Sequence, residues 1–336
     1  MVMKEATSQY AAVRDGGAGL IALSSTRGRI RVSGSEATMF LNGLITNDVK
    51  KLGENRWMPA AFPTVQGRLI GAVRVVRGNG PALLIDTDAA SHEAVLKTIS
   101  RFTLAGDFKV SDVTAETALL SVQGKRAIEV VEKVFEQSFS DLPRDGVVEA
   151  EWQNSQVTIF RATHTAEDGF DLVVDSAQAP QLRQSLVDAG AQPLSDDTLE
   201  ILRVEAGIPR FGRDMDETNI VIEANLDDVV SYTKGCYVGQ EIIVRIKHRG
   251  HVAKKLTGLK LETDRQIEPG TIIKSTDNAE IGRVTSAVVS PKLGSTVALG
   301  YVRHEHLAAG TSVVVDDDIA AMITELPFVR GSWYQN

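Results

Sequence analysis

Lys234-Gly235-Cys236-Tyr237-Val238-Gly239-Gln240-Glu241 is the most informative stretch of the chain. It holds Cys236, the only cysteine in 336 residues. Gly235 and Gly239 flank the sulfur, and Lys234 stands two residues before it. Small neighbours leave a sulfur approachable, and nearby cations favour the nucleophilic thiolate. A lone cysteine is more often a small, inert core residue among apolar neighbours. Two glycines and a lysine do not read as a core strand, so a reactive motif made of Cys236 and Lys234, with Gly235, Tyr237, Gly239, Gln240 and Glu241 around them, is the sharper expectation.

Outward from this stretch, residues 242–249 read IIVRIKHR. Period-two alternation predicts a strand with Arg245, Lys247 and Arg249 on one face. Such faces are usually just solvated. Here, however, residues 245–255 contain five Lys or Arg and no Asp or Glu, in a chain of net charge -8. A cationic strip of this kind would attract a carboxylate-bearing ligand, which arginine can grip bidentately.

The bulk numbers bound the rest. A length of 336 residues predicts two or three domains. A pI near 5.4 argues against a stable nucleic-acid binder. One cysteine excludes an intramolecular disulfide and fits a reducing, cytoplasmic setting. No apolar run approaches the roughly 20 residues that span a bilayer, and the first residues lack the apolar core of a signal peptide. His304-Glu305-His306 lacks zinc-site spacing, no phosphate-binding glycine loop is present, and one thiol cannot supply the four of an iron–sulfur cluster. No metal site is expected.

The first three quarters of the chain alternate strand and helix signals. From about residue 253 onward, short β-rich runs separated by Gly, Pro, Asp and Asn predict a small antiparallel barrel. The whole therefore reads as α+β followed by all-β. Val32-x-Gly34-x-x-Ala37 and Val122-x-Gly124-x-x-Ala127 form a faint repeat, each where a strand enters a helix.

The 234–241 element, followed by basic residues and Gly250, resembles the signature of the YgfZ family of folate-binding proteins. These are relatives of the glycine-cleavage T-protein (GcvT), an aminomethyltransferase. Further segments fall in the family's order: Leu202-Arg203-Val204-Glu205-Ala206-Gly207, Gly212-x-Asp214-x-Asp216-Glu217, Glu223-Ala224-Asn225-Leu226 and, near the start, Val32-Ser33-Gly34, Phe40-Leu41 and Thr46-Asn47-Asp48. The resemblance implies two interwoven α+β (ferredoxin-like) domains, 1–52 with 115–245 and 53–114, plus a C-terminal barrel over 246–336, around a central folate pocket.

It also implies tetrahydrofolate or a derivative as cofactor, with Asp171, Arg203, Glu223, Arg245 and Lys247 as contacts. Asp171 ends Thr165-Ala166-Glu167-Asp168-Gly169-Phe170-Asp171, which resembles the T-protein's pterin-reading turn. The same residues also read as a plain hairpin turn. A second folate-contacting arginine of the T-protein falls on Leu199, and its paired aspartates fall on Ile70 and Gly71. Without carboxylates there, the original reaction is not expected. The resemblance thus points to an accessory protein supporting iron–sulfur cluster assembly or repair, including for tRNA-modifying enzymes. Its partners would be folate and iron–sulfur assembly or client proteins. The alternatives are a folate-dependent aminomethyl transferase and a binding module without chemistry.

Overall fold

The computed structural model describes residues 2–335 except 102, 104 and 105, and omits the side chains of residues 2–6 and of Arg249. Three β-structures organise the chain. A six-stranded sheet runs in the order Gln192–Pro193, Gly19–Ala22, Thr117–Gln123, Gly169–Asp175, Ser155–Arg161, Val147–Trp152. A five-stranded sheet runs Arg56–Pro63, Leu69–Arg77, Leu83–Asp88, Arg27–Ser33, Lys109–Asp112. Six antiparallel strands between Lys254 and Thr324 close into a barrel.

The chain enters the first sheet, leaves to build the second, and returns, which makes the two α+β units interwoven. Sheet membership moves one expected boundary. The strand Arg27–Ser33 and the helix Ala37–Leu44 belong to the second unit, where Ile30, Val32, Ala37 and Leu41 pack with Val73, Val75, Ile85 and Val95. The division therefore lies at the turn before Arg27, not at 52/53.

The repeat is real at the level of backbone. Both Arg27–Ser33 and Thr117–Gln123 run into a left-handed glycine, Gly34 at φ 109° and Gly124 at φ 131°, and then into helices Ala37–Leu44 and Ala127–Phe135. In each copy the helix's first N–H returns to the glycine carbonyl, at 3.1 and 3.0 Å. A side chain at either glycine would strain the left-handed backbone and meet carbonyl oxygens at 2.2 and 2.6 Å.

The helix Val2–Arg14 ties the units together. Glu205, fully buried near the end of helix Asp196–Glu205, accepts hydrogen bonds from Tyr10 (2.9 Å), Arg14 (2.9 Å) and the barrel's Ser290 (2.6 Å). Arg14 also reaches Glu167 at 3.1 Å, and Glu167 accepts from Ser332 at 2.7 Å. One buried cluster thus joins the N-terminus, the first sheet, the barrel and the C-terminus.

Candidate functional site

Between the two α+β units, helix Asp196–Glu205 and the barrel lies a cavity of about 610 Å³. Leu23 and His164 come from the first unit, Arg27 and Asp88 from the second, Leu199, Glu200 and Ile201 from the helix, and Val288 from the barrel. Its lining mixes apolar side chains with charged ones.

Behind His164 runs a chain of buried charges. His164 Nε2 lies 2.9 and 3.1 Å from the two oxygens of Asp171. Arg74 Nη1 is 2.7 Å from the same carboxylate, and Arg74 also pairs with Asp86 at 2.6 Å. Arg27 then links Asp86 and Asp88, each at 3.0 Å. The guanidinium of Arg74 sits 5.0 Å from the Phe160 ring centre. Such a run exists because Arg74 and Asp86 are cross-strand partners in the second sheet, while Asp171 is contributed by the first. Burial alone would raise the Asp171 carboxyl, but His164 and Arg74 outweigh it and hold it well below the usual carboxylate range. Asp86 is held low in the same way, against burial, by Arg27 and Arg74.

Asp171 is fully buried and does not line the cavity. The wall is formed by His164, and Asp171 fixes that ring from behind. Asp171, the expected ligand contact, thus stands behind the wall, paired with His164 and Arg74.

The 234–241 element lies elsewhere. Gly239, at φ 77°, abuts the Thr64–Gly67 turn so closely that a Cβ would fall 2.4 Å from the Thr64 carbonyl oxygen. Tyr237 is buried, and the Val238 N–H donates to the Gly43 carbonyl at 3.1 Å. Cys236 and Gly235 are exposed, and Cys236 is not among the residues lining the cavity. Lys234 turns inward. Its Nζ donates to the carbonyls of Asn42 (2.7 Å), Ile45 (2.9 Å) and Asn47 (2.7 Å), closing the C-terminal end of helix Ala37–Leu44. Burial lowers its pKa to about 8, with Asp48 opposing. Lys234 is thus an anchor for the loop, and its charge is spent on carbonyl oxygens.

Residues 240–249 form a helix, Gln240–Arg249, where a strand was expected. Ile243 is buried and Ile246 half-buried, a helical i, i+3 pair, and Glu241 sits in the first turn where the helix dipole favours it. Interleaved aliphatic and basic residues satisfied both periods, and the non-local contact of Ile242 and Ile243 with Gly67 decided for the helix. At about 100° per residue, Arg245 and Lys247 cannot share a face. Both are exposed, neither lines the cavity, and Lys247 lies 5.4 Å over the Tyr232 ring. The side chain of Arg249 lies outside the described residues.

Arg203 does reach the cavity wall, but its guanidinium is committed to Glu200 (2.9 Å), Ser286 (2.6 Å) and Asp214, joining the helix to the barrel. Glu223 is buried away from the cavity and accepts the Ile220 N–H at 3.1 Å. Sequence reasoning missed Arg27, Arg74, Asp86, Asp88 and His164. A signal was available: Arg74 and Asp86 are charges flanked by aliphatic residues in largely apolar strands.

This is an α+β scaffold of two sheets and a closed barrel, with a cavity at their junction. Residues 2–234 match the model of the GCVT N-terminal domain, and residues 254–330 that of the glycine cleavage T-protein C-terminal barrel domain. The chain belongs to the glycine-cleavage T-protein family. It is 33% identical over 307 residues to the aminomethyltransferase of Rubrobacter xylanophilus, covering 91% of this chain and 82% of that one. A putative chloroplastic transferase of Arabidopsis thaliana is 26% identical over 304 residues, with coverages of 90% and 69%. The crystal structure of glycine cleavage system aminomethyltransferase T from Bartonella henselae shares the fold with a TM-score of 0.88 at 24% identity, over 98% of this chain and 90% of that one. Aminomethyltransferases of this family use tetrahydrofolate. Among the described residues, no helix is long and apolar enough to cross a membrane.

Proposed function

We propose that the protein is a folate-dependent one-carbon transferase of the aminomethyl-transfer class, with the 610 Å³ cavity as its tetrahydrofolate site. The observation that carries this reading is His164 on the cavity wall, held by the buried Asp171. The cavity suits the ligand chemically. Leu23, Leu199, Ile201 and Val288 offer apolar faces for a flat ring. When bound, tetrahydrofolate supplies the nitrogens that carry the one-carbon unit.

The protein's own part is binding, orientation and proton traffic. With Nε2–H donated to Asp171, His164 Nδ1 is the nitrogen left to take or give a proton. Asp86 and Asp88 supply negative charge on the strand beside Leu69–Arg77, where Ile70 and Gly71 carry none. Arg27 pairs with both carboxylates, and Arg74 with Asp86, which holds them in place. Calorimetric titration with tetrahydrofolate should saturate, and transfer from an aminomethyl-loaded lipoyl carrier should turn over. His164→Ala should depress both. No saturable binding at millimolar tetrahydrofolate would sink the reading.

A second reading keeps the folate site but assigns the chemistry elsewhere. Cys236 is exposed on a glycine-flanked loop, in a chain whose Ile70 and Gly71 replace paired aspartates. That favours an accessory role in iron–sulfur cluster assembly or repair, in the cytoplasm, with client enzymes as partners. Folate binding without turnover, together with loss of cluster-enzyme support in Cys236→Ser, would select it over the transferase.

A further inference from the structure

A second cavity, of about 370 Å³, lies between the loop through Arg213–Asn219 and one end of the barrel. On its wall, Lys254 and Arg303 face each other as register partners on the antiparallel strands Lys254–Leu261 and Ser295–Arg303. Facing partners project to the same side of a sheet, and like charges so placed repel. Among the described residues neither has a carboxylate within ion-pair distance, although Lys254 Nζ lies 4.9 Å from the Tyr301 ring centre.

The other charges on this wall are mostly committed. Arg213 pairs with Glu200 at 3.2 Å, and Arg283 with Glu280 at 2.8 Å. Asp214 accepts from Thr285 (2.6 Å) and Ser286 (2.7 Å) and pairs with Arg203. Asp216 accepts only from Thr218, at 2.8 and 2.6 Å, and has no cationic partner among the described residues. What remains is a pair of unneutralised cations and one unneutralised carboxylate. Met215 and Ile281 add buried apolar lining to the same cavity, and the Tyr301 hydroxyl is buried without a hydrogen-bond partner.

We propose that this cavity binds a small amino acid with an apolar side chain. Its carboxylate is held by Lys254 and Arg303, its ammonium by Asp216, and its side chain by Met215 and Ile281. A carboxylate between Lys254 and Arg303 relieves their repulsion, and a simple anion is disfavoured by Asp216. The site shares Arg213 with the folate cavity but needs no folate, so it stands or falls apart from the proposed transferase.

The test is calorimetric titration of the full chain with L-leucine, with acetate and isopentylamine as half-probes. L-leucine should bind saturably in the millimolar range and at least tenfold more tightly than either half-probe. The double variant Lys254→Gln, Arg303→Gln should weaken L-leucine at least tenfold, and Asp216→Asn should weaken L-leucine but not acetate. All residues changed are exposed, so melting temperatures should stay near wild type and report intact folding. No saturation by 50 mM L-leucine, equal binding of acetate, or unchanged affinity in the double variant would each overturn the assignment.

Discussion

Arg74 Nη1 lies 2.7 Å from Asp171 Oδ2, joining the five-stranded sheet to the six-stranded one through a fully buried carboxylate. The contact positions His164 and adds a buried side-chain link to the backbone bridge Arg56–Gly146 that also joins the two α+β units. Removing one partner of a buried pair leaves the other charge uncompensated. Arg74→Met is therefore expected to destabilise the protein by about 3–5 kcal/mol, because both Asp171 and Asp86 lose a partner. Denaturant unfolding measures it. A loss below about 1 kcal/mol, the worth of a surface pair, would show that the pair does not join the units.

The same carboxylates set the acid limit of stability. Asp171 and Asp86 titrate below their ordinary range in the folded protein, since arginine and histidine neighbours outweigh burial. A carboxyl lowered in the fold contributes stability above its unfolded value of about 3.9, and that contribution is lost as pH falls through and below it. The unfolding midpoint should hold steady from neutrality to about pH 5 and drop below about pH 4. Asp171→Asn should be less stable at neutral pH yet lose less on the same descent. Parallel curves for variant and wild type would contradict this assignment.

Lys234 is expected to matter for folding more than for reactivity. Its ammonium satisfies three carbonyls at the end of helix Ala37–Leu44. Lys234→Met keeps the stem and strands those oxygens, at a cost of about 2–4 kcal/mol. Thermal melting should show the drop, while Lys234→Arg should recover part of it. A fully stable methionine variant would mean that water replaces the ammonium.

Cys236 should be modified by a thiol reagent in the native protein, because it is exposed on the loop before Gly239. Saturating tetrahydrofolate should leave the rate unchanged, since Cys236 does not line the 610 Å³ cavity. Protection by folate would place the ligand beside the thiol and argue for a different binding site.

His164 separates binding from orientation. His164→Gln keeps a hydrogen-bonding group next to Asp171 but cannot carry a proton at neutral pH. It should retain folate binding within a few-fold and lose turnover by about 10²–10⁴, the usual worth of a general acid–base group. Equal loss of binding and turnover in this variant would mean that the imidazole only shapes the wall.

What the sequence determined by itself was local or carried by spacing. The strand–glycine–helix repeat at Gly34 and Gly124 is legible because only glycine suits that backbone. The barrel shows in short β-rich runs between turn residues, and the family in the order of its motifs. Tertiary structure decided the rest. Residues 240–249 fit a strand by alternation and became a helix because Ile242 and Ile243 found the Thr64–Gly67 turn. Lys234 read as a neighbour of the thiol and became an anchor because three carbonyls, 187 to 192 residues away in sequence, converge on it. Asp171 read as a ligand contact and lies instead behind His164, because Arg74 reaches it from another sheet. A charge's role depends on which opposite charge the fold brings within 3 Å, and that distance is set by packing of segments that no local pattern relates.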